Sequence, residues 1–484
     1  MKRVIYTIYC LLFVSVLSSC DDWLDVQPIT QIEGERLFET KEGFETSLTG
    51  IYLKLGDKEL YGSSLSMKFV EILAQRFDLS GAIDHWASEI AEYQYGHEDV
   101  EPRIRSVWSH AYNTIAECNL LLEEIENRED LFTTKEYKLY KGELLAIRGM
   151  LHFDILRLFG PMPGTDYDKE FVPYYTEFAF EYQPYLIPGK FLQMVINDLS
   201  SAENLLQDSD PILEDGPFME ESDVTVDKRF WSYRADRMNL FSVQGLLARV
   251  HLYNRDRINA LEYANKVIDG NEGRFPFVDQ GSVIGAGGVV SNPNCIFSTE
   301  VLFALNQMDL DFIQRDLFSD EISQEKRLLP TKNSLLFQSV IFDDEMVDYR
   351  FLPSWRKGTT APYYHFSKYK VIDQSSLFSN RIPMVRLSEA YLIAAECETH
   401  PDNARKYLNM LRSARGLSDY ITGTIEEGIR KEYIREFMGE GQLFYYYKRT
   451  NAEQILSGSL STTISMTSAQ YVLPLPNNEV NNRK

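Results

Sequence analysis

The chain has 484 residues, 44% of them hydrophobic and 25% charged, and 49 Lys and Arg against 72 Asp and Glu leave a formal charge of −23. This composition belongs to a folded globular protein and excludes disorder as the main state. The acidic balance argues against nucleic acid as a partner and against docking on anionic lipid, because both need clustered Lys and Arg.

The chain opens with Lys2 and Arg3, then a mostly apolar run from Val4 to Leu17. This is the layout of a secretory signal, and it is too short to span a membrane. The next residues, Leu17-Ser18-Ser19-Cys20, resemble a bacterial lipobox. That resemblance implies cleavage before Cys20 and acylation of its thiol, with residues 1–19 removed. A multi-chain anchor would hold the mature protein stably at a membrane, since each buried methylene contributes about 0.8 kcal/mol. Asp21, Asp22 and Asp25 follow. They resemble the surface-export signal of Bacteroidetes lipoproteins, which implies the outer membrane and its exterior face; retention on the periplasmic side is the alternative. Beyond the signal, Cys118, Cys295 and Cys397 form an odd set with no close spacing. They read as structural residues, not as a disulfide framework.

Helical periodicity dominates from there on. Val107, Ala111, Ile115, Cys118, Leu122 and Ile125 fall on one face. Leu144, Ile147, Leu151, Ile155 and Leu158 predict a second helix, stopped by Gly160-Pro161. Further stripes run through Leu192–Leu206, Phe241–Leu252 and Ala260–Val267. In the last third they recur at Leu387–Ala395, Ala404–Leu411 and Ile425–Phe437, where Thr424 and Glu427 predict a capping box. Small residues (Gly245, Ala248, Ala394, Ala395) stand where two helices would approach closely. The expected fold is mainly α: tetratricopeptide-like helix pairs forming a scaffold, each burying its face on a neighbour. Long irregular loops and a few short strands, around Val301–Leu305 and Tyr471–Leu475, would pack on it. No clean boundary cuts the mature chain, so residues 20–484 read as one domain.

No catalytic arrangement stands out. H-E-x-x-H, C-x-x-C, G-x-S-x-G and a phosphate loop ending in Gly-Lys-Ser/Thr are all missing from the sequence. His152 reads as a structural histidine, facing away from Asp154. Asp343-Asp344-Glu345 reads as a charge cluster rather than a calcium loop. The chain therefore reads as a non-enzyme with no metal and no cofactor. Its distinctive feature is 28 Phe, 29 Tyr and 5 Trp. Most suit a core, but Trp86, Tyr93, Tyr95, Trp231, Trp355, Tyr363 and Tyr364 fall in irregular stretches. Exposed rings on a rigid frame suit ligand binding, and sugar faces stack on them. The competing reading is that these rings pack the long loops onto the scaffold.

Cys20-Asp-Asp-Trp-Leu-Asp-Val-Gln-Pro28, Glu143-Leu-Leu-Ala-Ile-Arg148, His152-Phe153, Leu158-Phe-Gly-Pro161, Arg386-Leu387, Glu389, Ala395-Glu396, Leu411-Arg412, Arg415-Gly416, Glu432, Arg435-Glu436, Arg449 and Leu473-Pro-Leu-Pro476 occur in that order. Together they resemble the SusD/RagB family of outer-membrane nutrient-binding lipoproteins, over nearly the whole mature chain. The resemblance implies an N-terminal part over about 20–230 and a C-terminal part over about 231–484. It implies a surface-exposed binding protein that acts as a lid on a SusC-like TonB-dependent transporter. The ligand would be a glycan first and, as on the RagB side of the family, a peptide second. An extracellular glycoside hydrolase and a protein-only scaffold are the readings from other classes. No ligand-contacting residue carries over by motif, so the seven loop aromatics rest on ring chemistry alone.

Overall fold

In a computed structural model, which describes residues 37–80, 84–219, 223–225, 228–285, 288–323, 326–358 and 363–483, the predicted stripes become helices. The signal, Cys20 and the aspartates after it lie outside the described residues. The chain divides into two units, Met1–Thr46 and Ser47–Lys484, and the features below belong to the second. α1 (Lys41–Leu55) crosses the division. α2 (Glu101–Asn127), α3 (Thr134–Phe159), α4 (Pro188–Leu206), α5 (Leu240–Tyr253) and α6 (Arg257–Gly270) follow. After β1 (Val301–Asn306) come α7 (Leu310–Phe318) and α8 (Ser334–Phe342), then β2 (Trp355–Lys357), β3 (Tyr364–Phe366) and β4 (Arg381–Arg386). The chain closes with α9 (Leu387–Cys397), α10 (Pro401–Ser413), α11 (Ile425–Glu436) and α12 (Gln442–Arg449), besides shorter turns.

The helices stack in sequence. α2 packs on α3, α3 on α4, α4 on α5, α5 on α6, α6 on α9, and α9 on α10 and α11. α3 starts at a full capping box, in which Thr133 Oγ1 accepts from Glu136 N and Glu136 Oε2 accepts from Thr133 N at 2.9 Å. α3 and α4 lie close because Gly142 and Gly149 face Leu206 and Leu199; a Cβ would come within 2.9 and 3.1 Å of their Cγ atoms. Gly245 differs from its predicted role. A Cβ there would meet Val385 Cγ1 of β4 at 2.7 Å, so this glycine admits a strand and not a second helix. At α11, Thr424 Oγ1 accepts from Glu427 N, which is the capping contact predicted from one side.

β1 pairs antiparallel with β4, and β2 with β3, in a hairpin that matches Trp355 to Phe366. The strand predicted at Tyr471–Leu475 does not form. Thr467 and Gln470 cap a helical turn over Ser468–Tyr471, and Leu473 N then donates to Leu158 O at the end of α3. The helix end needed a donor more than the segment needed a strand partner. Cys118, Cys295 and Cys397 are free and buried.

Buried charge locks the frame. Arg415 grips Glu300 with two 2.7 Å bonds and Glu436 at 2.6 Å. Arg386 binds Glu436 and Glu440, and Arg350 binds Glu432 at 2.6 Å and Glu436 at 2.9 Å. Burial alone would raise the Glu436 carboxyl; Arg415, Arg386 and Arg350 outweigh it and hold it well below the usual carboxylate range. Elsewhere Arg148 binds Asp198, Arg234 joins Glu143 to Asp210, and Arg249 binds Glu389. Lys448 Nζ donates to the carbonyls of Arg157 at 2.8 Å and Gly160 at 2.7 Å, closing the C-terminal end of α3.

Candidate functional site

The loop after α1 carries Trp86. Its indole N–H donates to Lys326 O at 2.9 Å, His85 Nε2 donates to Arg327 O at 3.2 Å, and Asp78 N donates to Leu329 O at 2.8 Å. Three bonds thus fix the tryptophan against the segment after α7. Lys68 and Arg103 lie 5.1 and 5.4 Å from its ring centroid, within cation–π range. The ring is half-buried.

The same segment borders a cavity of about 410 Å³ through Ser319, Asp320 and Glu321. Its other walls come from α7, which supplies Gln314 and Arg315, and from the hairpin, which supplies Arg356, Lys357 and His365. Arg327 Nη1 donates to Ser319 O at 3.3 Å, so one segment carries both the cavity wall and the tryptophan's anchor. The volume falls in the small-ligand range of roughly 300–1,000 Å³.

Two buried polar atoms in that wall lack a partner among the described residues. His365 is 5% exposed, and its Nδ1–H donates to Phe318 O at 3.4 Å. Its Nε2 is unmatched. Burial first, and then the Arg327 guanidinium, push the ring below its usual pKa. The neutral ring therefore presents Nε2 as an acceptor. Gln314 is 6% exposed; its amide N–H donates to Phe366 O at 2.7 Å, and its Oε1 is unmatched. Leaving such an atom dry costs about 1–3 kcal/mol, and neither atom presents accessible surface to the cavity.

The other predicted rings occupy different places. Trp355 is buried between Phe337 and Phe366, with centroids at 4.6 and 5.1 Å. Tyr364 is buried on Phe337 and Phe351, and Gln338 donates to its hydroxyl at 2.6 Å. Tyr363 is buried beside His365. Tyr95 is buried and donates to Gln470 O; Tyr93, half-buried, donates to Leu73 O at 2.8 Å and meets Tyr95 edge-on. Trp231 is buried against Tyr140 on α3, apart from the cavity. The expectation of exposed platforms is therefore corrected at Tyr95, Trp231, Trp355, Tyr363 and Tyr364. Their faces are spent on holding loops to the scaffold, because loops this long need an apolar core of their own.

His152 has the structural place expected of it. It stacks on Tyr174 at 3.6 Å, and its Nε2 accepts from Tyr175 N at 3.1 Å. Asp343 and Glu345 are taken up by Lys431, Arg412 and Arg435. A second groove of about 220 Å³ lies between α2 and the 175–182 loop, with Phe180 fully outside at 94% exposure. On its rim Tyr112 donates to Pro173 O, and Glu479 accepts from Tyr185.

Family comparison fits this arrangement. A family described as starch-binding and associating with the outer membrane matches residues 22–210, and a SusD family matches residues 353–484. The chain belongs to the SusD family. Members of that family are outer-membrane-associated binding proteins rather than enzymes. A SusD-like protein of Formosa agariphila is 22% identical over 98% of this chain and 96% of its own length. Among solved structures, a SusD superfamily protein from Bacteroides thetaiotaomicron has a TM-score of 0.70 at 22% identity, covering 91% of this chain and 98% of its own. A putative sugar-binding protein from Bacteroides vulgatus gives 0.68 at 20%, covering 91% and 96%. A laminarin-binding SusD-like protein gives 0.59 at 16%, covering 91% and 97%. In this SusD chain neither family match covers residues 211–352, which contribute α7 and, in the cavity wall, Ser319, Asp320 and Glu321. Sequence reasoning missed Gln314 and His365, since neither belongs to a motif. Around His365, between Asp348 and Asp373, the sequence has Arg350, Arg356, Lys357, Lys368 and Lys370 and no carboxylate.

Proposed function

We propose that this SusD-family protein captures an oligosaccharide at the outer membrane, in the cavity between α7 and the β2–β3 hairpin. The carrying observation is a cavity of about 410 Å³ walled by polar and charged side chains of α7 and the hairpin, in a chain of the SusD family. A sugar supplies hydroxyl groups at close spacing and an apolar ring face, which suit a cavity of mixed polar and apolar lining. The laminarin-binding relative and the starch-binding description of the family support this ligand class. The protein would be acylated at Cys20, face the cell exterior, and deliver its cargo as a lid to a SusC-like TonB-dependent transporter.

The test is isothermal titration of the mature chain, without lipid, against glycan and peptide series. Glycan binding is expected. Arg356→Ala and Lys370→Ala, at exposed residues of the cavity wall, should each weaken it by up to about tenfold. Binding of peptides and of no glycan would overturn the saccharide reading. Loss of lipid labelling in Cys20→Ser would support the anchor, and unchanged labelling would refute it.

A further inference from the structure

Most of the rings expected as platforms are spent inside the loops, but open rings stand elsewhere, on the loop between α3 and α4. That loop is fixed at its base. Asn119 Nδ2 donates to Tyr175 O at 3.2 Å and to Glu177 O at 3.1 Å, and Arg148 Nη1, itself held by Asp198, donates to Thr176 O at 3.0 Å. Further along, Arg483 Nη1 donates to Gln183 O at 2.6 Å, and its guanidinium lies over the Tyr182 and Tyr185 rings at 4.8 and 4.4 Å. Between these fixed points Phe178, Phe180 and Tyr182 are exposed. The Phe178 and Phe180 rings meet edge-on at 5.5 Å, so each limits the tilt of the other.

A solvated charge needs no partner, whereas a ring face in water gains by being covered. Single exposed rings are ordinary on a protein surface. Here two of them, Phe180 and Tyr182, border one groove of about 220 Å³ whose wall also holds Trp108, Tyr112 and Tyr175. Asn113, Glu177 and Glu181 line the same groove and are exposed, so a ligand lying on the rings can reach their polar atoms. Among the described residues that line it there is no Lys, Arg or His. Arg483, beside it, is already paired with Glu479.

We infer that this groove is a second saccharide site, apart from the cavity between α7 and the hairpin, and that it takes a sugar without acidic groups. Ring faces of the sugar lie on Phe180 and Tyr182, and its hydroxyls donate to Asn113, Glu177 and Glu181. This rests on the saccharide reading above and adds a second place for that ligand class. Carboxylates accept strongly from hydroxyl groups. A uronate or a sulfate ester would instead meet Glu177 and Glu181 with no free counter-charge in the wall. At 220 against 410 Å³, the groove suits a short stretch of a glycan chain.

The experiment is isothermal titration of the mature chain with short neutral β-glucan oligosaccharides and with polyuronates of matched length, repeated on Phe180→Ala, Phe180→Trp and Arg356→Ala. Phe180 is almost wholly exposed, so its replacement should keep the parent melting temperature. Two sites per chain are expected for the neutral series. Phe180→Ala should weaken one of them about fivefold to tenfold, Phe180→Trp should preserve it, and Arg356→Ala should act on the other. The polyuronate should leave the Phe180-dependent site empty; filling it would overturn the exclusion of acidic sugars. A single site that answers to Arg356→Ala and ignores Phe180→Ala would overturn this inference and leave the saccharide reading standing. A single site that answers only to Phe180→Ala would support the groove and take the ligand away from the cavity. Binding of no glycan would overturn both.

Discussion

On α11, Glu432 and Glu436 are buried and each is held by at least two guanidinium groups, while on the β2–β3 hairpin Arg356 and Lys357 are exposed and hold no carboxylate among the described residues. Both regions are rich in charge, and they belong to the same C-terminal part of the chain. In the frame, charges are matched inside the fold, and their worth lies in fixing which segments meet. On the hairpin, Arg356 and Lys357 are left to solvent and add little to the fold. A buried pair broken on one side is costly, whereas an exposed cation contributes little to stability. The two regions should therefore answer mutation in opposite ways.

The largest effect is expected at the frame. Glu436→Gln leaves Arg386 and Arg415 short of a buried counter-charge and should cost about 3–5 kcal/mol in urea denaturation. A cost below 1 kcal/mol would mean that the network is dispensable and the contrast is false. Trp355→Ala comes next. Its ring fills the space between Phe337 and Phe366, so the expected loss is about 3 kcal/mol of stability. A variant of native stability with lost glycan binding would return Trp355 to the ligand.

The third test uses pH. Burial raises the Glu71 carboxyl to about 7, against the partial relief given by Arg76. Between roughly pH 4.5 and 7 the folded chain keeps a proton that the unfolded chain has lost, so stability falls as pH rises through that window, by about 3 kcal/mol in all. Glu71→Gln should flatten this part of the melting-temperature profile; an unaltered profile would disprove the assignment. The smallest effect is expected at Trp86→Ala: glycan affinity down about fivefold to tenfold, with stability changed by less than about 1 kcal/mol. Unchanged affinity would remove Trp86 from the site and leave the cavity wall alone to carry it.

The frame was legible because a helix repeats its apolar residues every three or four positions, and α2 to α6 and α9 to α11 follow that rule. The family resemblance was legible too, for a reason visible only in the fold. Glu143, Arg148, Glu389, Glu396, Arg412, Arg415, Glu432, Arg435, Glu436 and Arg449, which carried it, are members of the ion pairs that tie the frame together. The pairing itself was not legible, since Arg415 and Glu300 are 115 positions apart. The site was read from ring content, and ring content cannot tell a platform from a loop's own core. Trp355 and Tyr364 look like Trp86 in sequence and differ only in what packs over them. Gln314 and His365 gave no signal, because a buried atom without a partner exists only once the neighbours are placed.

The cap on α3 also bears on the order in which the protein can be completed. Lys448 Nζ reaches the carbonyl of Arg157, 291 positions earlier in the chain. Synthesis runs from the N-terminus, so the end of this central helix emerges long before the ammonium group that satisfies it. Until the last segment of the polypeptide arrives, the helix that organises the N-terminal half keeps an open end. Until Lys448 emerges, near the end of synthesis, water must satisfy those carbonyls.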